Sequence, residues 1–277
     1  MSLNLSSLLL AFLLTASSPS PLTLTIAAAS DLTALEHDLE LAFYHSNPNV
    51  HLNWVNSASA ILSQQIDHGA PYDVFMSANS QFVDQLASNG KLAPGSVTVY
   101  AVGRLGMLWR DGKHHPLAEL RQDWVRFLAL PDPELAPYGA AARQALEREH
   151  LWREIQRKIV YGENVREALE LFRSGNADAV ITSASLLRDK NPQWIPQEWH
   201  RPIVQKAGMV AASPNRAAAQ QFLQFLTSPA AQAIFAQFGF SSPRSPSGAS
   251  VSSSGTPARI QSRNAQVSTR LPQKSSP

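Results

Sequence analysis

The sequence predicts an α/β fold of two lobes, each a mostly parallel sheet flanked by helices, joined by two extended segments. Three observations predict it. From Leu22 onward, stretches with strand periodicity alternate with stretches of helical periodicity, and a βαβαβα order demands a parallel sheet with right-handed crossovers. Two extended segments, residues 97–109 and 203–211, exceed a mean strand, and such a segment can leave one sheet and enter another. Between them lies a further run of βα units, so the chain crosses to a second lobe and returns. The 277 residues, 44% hydrophobic and 16% charged, are enough for one large or two ordinary domains. The predicted division is residues 1–21 as a leader, 22–102 plus 209–240 as lobe one, 103–208 as lobe two and 241–277 as a tail.

The leader carries the apolar run Leu8-Leu9-Leu10-Ala11-Phe12-Leu13-Leu14 and exits through small residues at Ser17, Ser18 and Ser20. That length suits a secretory signal and is too short to span a bilayer. No Lys or Arg precedes the run, which is atypical of a signal, and a buried N-terminal helix is the other reading.

Leu22, Leu24 and Ile26 alternate with Thr23 and Thr25 as a strand does, and Leu32, Leu35, Leu39, Ala42 and Phe43 then recur at helical spacing. Ser30 stands at that handover, either as a plain N-cap or as a donor to an anion held where backbone N–H groups and the helix dipole converge. Val50, Leu52, Trp54 and Val55 form a second strand, and residues 60–68 a helix closed by Gly69-Ala70-Pro71, which puts Ser59 at a second such junction. Residues 73–78 read as a strand buried on both faces and 81–88 as a helix stopped at Asn89-Gly90.

In the middle region residues 117–127 have helical spacing, 128–130 make a short strand, 131–138 an irregular loop and 139–154 a helix. A strand at 158–161 runs through Gly162-Glu163-Asn164 into an amphipathic helix at 165–173, and 179–183 is another buried strand. Two helices around Thr227-Ser228-Pro229 close the fold. From Ser241 onward Ser, Pro, Gly and Arg dominate, too little apolar surface to offset ordering, so disorder is expected.

The formal charge is +2, yet Arg244, Arg259, Arg263, Arg270 and Lys274 all lie in the tail, which leaves 18 basic against 21 acidic residues before it. A mildly acidic body argues against a nucleic-acid surface. The absence of cysteine excludes disulfides, thiolate metal sites and cysteine nucleophiles.

Several motifs together resemble the molybdate-binding periplasmic proteins of ABC transporters. They are Ala28-Ala29-Ser30, Ser59 ahead of the block Gly69-Ala70-Pro71-Tyr72-Asp73-Val74-Phe75-Met76-Ser77-Ala78, Asp132-Pro133-Glu134, Glu163-Asn164-Val165-Arg166, and Ser228-Pro229-Ala230 leading to Phe238-Gly239-Phe240. The resemblance covers residues 22–240. It implies a type II periplasmic-binding-protein fold and an exported, periplasmic, monomeric receptor. Such a receptor would bind molybdate or tungstate in the inter-lobe cleft, use no cofactor and deliver its cargo to an ABC permease.

Carried across position by position, the resemblance implies Ser30, Ser59, Tyr138, Val165 and Thr182 as the oxyanion ligands, touching oxygens and not the metal. Ala58 replaces a serine usual in the family, Tyr138 stands where a small residue is usual, and Thr182 where a tyrosine is frequent. A gained hydroxyl at Tyr138 could restore the donor lost at Thr182, or Tyr138 could merely line the cleft mouth.

Other classes fit less well. A receptor of the same fold for sulfate or another small anion shares every feature above. A periplasmic enzyme would need a recognisable nucleophile, and no Gly-x-Ser-x-Gly elbow is present. His114-His115 follows Asp111-Gly112-Lys113 in a turn and reads as a solvated loop before it reads as a metal site.

Overall fold

The computed structural model describes residues 21–243; the predicted leader, apart from Pro21, and the tail beyond Pro243 lie outside it. The first strand, β1 (Leu22–Ala29), is followed by a 3-10 turn (Ser30–Leu32), α1 (Glu36–Ser46), β2 (Val50–Ser57), α2 (Ser59–Asp67), β3 (Val74–Ser77) and α3 (Ser80–Ser88). The chain continues through β4 (Thr98–Gly103), β5 (Leu105–Trp109), a 3-10 turn (Leu117–Arg121), β6 (Leu128–Pro131), α4 (Pro137–Arg148), the single turn α5 (Trp152–Ile155), β7 (Ile159–Gly162), α6 (Val165–Arg173) and β8 (Ala179–Ser183). It closes with a 3-10 segment (Ala184–Lys190), β9 (Gln193–Trp194), β10 (Ile203–Met209), α7 (Arg216–Leu226) and α8 (Pro229–Gln237).

Among the described residues these strands form two five-stranded sheets, ordered β2-β1-β3-β10-β4 and β7-β6-β8-β5-β9. Each has three parallel strands, with β1 central in one triplet and β6 in the other, and each then adds antiparallel neighbours. The expected βα alternation is therefore present twice. The segment 97–109, read as one extended stretch, is two strands in different sheets, and only Arg104 separates them. The return strand β10 belongs to the first sheet from Ile203, whose partner is Gly103 at the end of β4. Both passages between the sheets thus lie side by side.

Three local readings are corrected. The first helix, expected to begin just after Ser30, does not: a 3-10 turn intervenes and α1 starts at Glu36. Residues 117–127 carry helical spacing but form only a 3-10 turn, because Leu117, Leu120 and Val125 need little more than one turn to reach the second sheet's core. The helix expected at 139 starts at Pro137, where a ring-fixed φ is pre-set for the first helical position.

Two cores result. On the first sheet, Phe43 of α1 meets Phe222 of α7 edge to face at 5.3 Å, and Tyr100 lies against Phe235 of α8 at 5.1 Å. On the second, Leu128, Leu130, Ala142, Leu146 and Ile181 are fully buried, and Ala29 and Ala78 of the first sheet's junctions pack into the same cluster. Asp73, the acid of the Gly-Ala-Pro-Tyr-Asp block, is structural. Its Oδ2 accepts the Thr25 N–H at 2.7 Å and its Oδ1 the Ser213 hydroxyl at 2.5 Å, which ties β1 to the approach to α7. Ser241, expected to open the tail, exchanges both backbone hydrogen bonds with Val102 at 2.8 Å, so the ordered fold reaches past Phe240.

Candidate functional site

Four strand-to-helix junctions meet at one narrow cavity: the turn after β1, the start of α2 after β2, the start of α4 after β6, and the start of α6 after β7. Its lining includes Ser30, Asp31, Ser59, Tyr138 and Val165. It shares Ala78, Ala136 and Pro137 with a wider cleft of about 430 Å³ that extends to Pro202 and Ile203. The position follows from topology, since the carboxyl ends of parallel strands and the amino ends of the following helices point the same way in both sheets.

The two junctions of the first sheet offer hydroxyls. Ser59 is 1% exposed, and its Oγ accepts the Ala78 N–H at 3.1 Å, which leaves its own proton to give. Ser30 is also buried, but its Oγ donates to the Ser57 carbonyl at 3.0 Å, so its proton is already committed. Neither serves as a side-chain cap: the N-caps are Ala29 and Ala58, with no side-chain cap bond at either.

The two junctions of the second sheet offer backbone. Pro137 at the first position of α4 has no N–H, and the Tyr138 N–H has no acceptor among the described residues. At α6 the Asn164 side chain accepts from Arg166 and Glu167 at 3.0 and 3.2 Å, so the second and third amides are satisfied and the Val165 N–H is the unpaired one. Thr182, by contrast, is absent from the lining. It is fully buried one layer behind, donating to the Val165 carbonyl at 2.9 Å.

Tyr138 does neither of the things expected of it. It is 1% exposed, so it does not sit at the cleft mouth, and its hydroxyl donates to Asp31 Oδ2 at 2.8 Å. Gln205 of β10 donates to the same Oδ2 at 2.8 Å and to the Tyr138 hydroxyl at 3.2 Å, while Tyr100 donates to the Gln205 carbonyl oxygen at 2.9 Å. Gly103 permits this packing, because a Cβ there would overlap the Tyr138 hydroxyl.

Sequence reasoning missed Asp31 as a site residue. It is 1% exposed, lines the cavity, and keeps Oδ1 without a hydrogen-bond partner among the described residues. Burial pushes its carboxyl up to about 7, against the lowering effect of the hydrogen bonds from Tyr138, Gln205 and its own backbone N–H. The same burial, with the Asp31 charge, raises both Tyr100 and Tyr138 well above the usual phenol range. The available sequence signals were an acid directly after a junction serine and Gln205, a polar residue in an apolar strand.

The cleft is closed across the sheets by direct bonds. The Ala60 N–H of α2 donates to the Leu135 carbonyl at 3.2 Å, and the Ser185 hydroxyl donates to the Asp31 carbonyl at 2.6 Å. No group of three or more His, Asp or Glu among the described residues could hold a metal ion. Of the paired histidines, His115 bonds Asp111 at 2.9 Å beside the rings of Trp109 and Trp124, and His114 meets the Asn191 carbonyl at 3.0 Å.

Comparison with known proteins gives concordant matches. The family model described as bacterial extracellular solute-binding protein matches residues 24–241. The molybdate-binding protein ModA of Rhodobacter capsulatus is 34% identical over 185 residues, 64% of this chain and 71% of that one. Among solved structures, the periplasmic molybdate-binding protein of Azotobacter vinelandii superposes with a TM-score of 0.74 at 27% identity, over 80% of this chain and all of that one. The sulfate-binding protein SubI of Mycobacterium tuberculosis, at 18% identity and a TM-score of 0.66, shares the fold.

Proposed function

We propose, for a chain that belongs to the molybdate-binding family of bacterial extracellular solute-binding proteins, that it is an extracytoplasmic receptor. It binds molybdate and tungstate in the cleft between its sheets and hands the anion to an ABC permease. The observation that carries this reading is the convergence of helix starts from both sheets on one cavity furnished with donors. Among the described residues the Tyr138 and Val165 amides and the Ser59 hydroxyl proton have no acceptor, and no Lys or Arg lines the space.

A tetrahedral dianion presents acceptors only, and helix starts supply matching donors with a favourable dipole but no fixed positive charge that would hinder release. We assign Ser30 and Ser59 as hydroxyl donors and Tyr138 and Val165 as backbone donors, with Thr182 positioning Val165 from behind. Charge-assisted hydrogen bonds contribute roughly 1.5–3 kcal/mol each, so a few sustain affinity on the order of micromolar or tighter. Among the described residues no helix is long and apolar enough to cross a membrane.

Titration calorimetry of the purified protein against molybdate, tungstate, sulfate and phosphate tests the reading. Similar heats and affinities for molybdate and tungstate are expected, because the site matches shape, charge and size. Heat from sulfate with none from molybdate overturns the assignment.

A further inference from the structure

A carboxylate is the wrong group to find in an oxyanion cavity. Asp31 lines that cavity, its Oδ2 is held by Tyr138 and Gln205, and its Oδ1 is buried and unpaired. If the carboxyl were ionised beside a dianion, two like charges would share a water-poor space, and Oδ1 would face acceptors with another acceptor. A single proton on Oδ1 removes both conflicts, turning the repelling oxygen into a donor.

We propose, resting on the receptor reading above, that Asp31 serves the cleft as a neutral carboxylic acid. Its Oδ1 hydroxyl donates to a fully deprotonated oxyanion, so that the anion and one proton from solvent bind together. The balance is simple: the ionised carboxyl, a dianion and a proton become a carboxylic acid hydrogen-bonded to the same dianion. No bond of the anion is altered.

The surroundings favour the neutral form. Facing the carboxyl are the phenols of Tyr138 on α4 and Tyr100 on β4 and the amide of Gln205 on β10, none of them a cation. From α6 come Arg166, whose charge acts on Glu36, and Glu167, which bonds Asn164. From the 3-10 segment after β8 come Arg188, stacked over Phe238 at 4.6 Å, and Asp189; Lys206 on β10 is paired with Asp84 at 2.7 Å. No guanidinium or ammonium is among the groups that act on Asp31, whose carboxyl burial already holds near 7 before any anion arrives.

This device also separates oxyanions. An ionised Asp31 would accept a hydrogen bond and so select an oxyanion that keeps a proton, such as hydrogen phosphate. A protonated Asp31 rejects such an ion by donor-to-donor conflict and accepts molybdate, tungstate or sulfate.

The test is titration calorimetry of the full chain with molybdate from about pH 6 to about pH 9, with the upper pH repeated in two buffers of unlike ionisation heat. Affinity is expected to be level at the acid end and then to fall about tenfold per pH unit above about 7. The buffer comparison should show uptake of close to one proton. Asp31→Asn should lose the slope, since an amide donates without titrating. Level wild-type affinity without proton uptake overturns the proposal and leaves the receptor reading standing, as does a slope that persists in Asp31→Asn. Tighter binding of hydrogen phosphate than of molybdate shows the carboxylate acting as acceptor and overturns it too. No heat from any of the four oxyanions at about pH 6 refutes the receptor reading and the proton linkage with it. The buffer comparison needs only the wild-type chain, so the proposal remains decidable even if Asp31→Asn does not fold.

Discussion

The two sheets furnish the cleft by different means. The first supplies side chains, with Ser30, Asp31 and Ser59 at junctions whose N-caps are alanines. The second supplies backbone, with Tyr138 and Val165 offering amides while their side chains turn to other tasks. Backbone donors are set by helix geometry and cannot rotate away, whereas hydroxyls can redirect. One wall of the cleft is therefore rigid by construction and the other adaptable.

The sharpest way to break that contrast is to delete one amide while sparing its helix. Val165 is the first residue of α6, a position that tolerates proline, and Asn164 before it is extended at φ −145, ψ 178, as a residue preceding proline should be. Val165→Pro should weaken molybdate binding by roughly 1.5–3 kcal/mol, about ten- to a hundredfold or slightly more, with α6 retained by circular dichroism. Unchanged affinity would remove the amide from the set of ligands.

On the adaptable wall, Ser59→Ala should cost a similar amount and Ser30→Ala less. The Ser59 proton is uncommitted, whereas Ser30 must give up the Ser57 carbonyl before it can serve an anion. Equal losses in calorimetry would show that the Ser30 hydroxyl reorients at no cost.

Asp31 adds a stability signature. Its folded pKa of about 7 lies above the unfolded value of about 3.9, so the folded chain keeps a proton that the unfolded chain has released between those values. The Asp31 contribution to the stability of the anion-free protein is therefore fully present below the lower value, falls as pH rises through the window by up to roughly 4 kcal/mol, and levels off above about 7. Denaturant melts across that range should show the decline in the wild type and its loss in Asp31→Asn.

The smallest effect is expected behind the rigid wall. Thr182→Val removes the bond to the Val165 carbonyl and should lower stability by about 1 kcal/mol while affinity moves little. A loss of affinity as large as that of Ser59→Ala would return Thr182 to the ligands.

The contrast also explains what could be read in the sequence. Ser30 and Ser59 were legible because a hydroxyl at a strand-to-helix handover is a visible letter, and the handover itself shows in the change of period from two to 3.6. Amide donors carry no letter, since every residue except proline has one, so Tyr138 and Val165 came only with the family resemblance. The Tyr138 hydroxyl, weighed as a donor to the anion or as a group at the cleft mouth, is instead bonded to Asp31. Its actual partner, Asp31, lies 107 residues away in the chain, and Gln205 lies 174 residues from Asp31; no local pattern encodes such meetings. Thr182 shows the converse error, a hydroxyl in the right neighbourhood that serves a carbonyl instead.

The pairing of Gly103 with Ile203 places both passages between the sheets on adjacent rungs of one ladder. Mechanically this resembles a door hung on two neighbouring pins. Any opening of the cleft about those pins has to break the cross-cleft bonds from Ala60 to Leu135 and from Ser185 to Asp31.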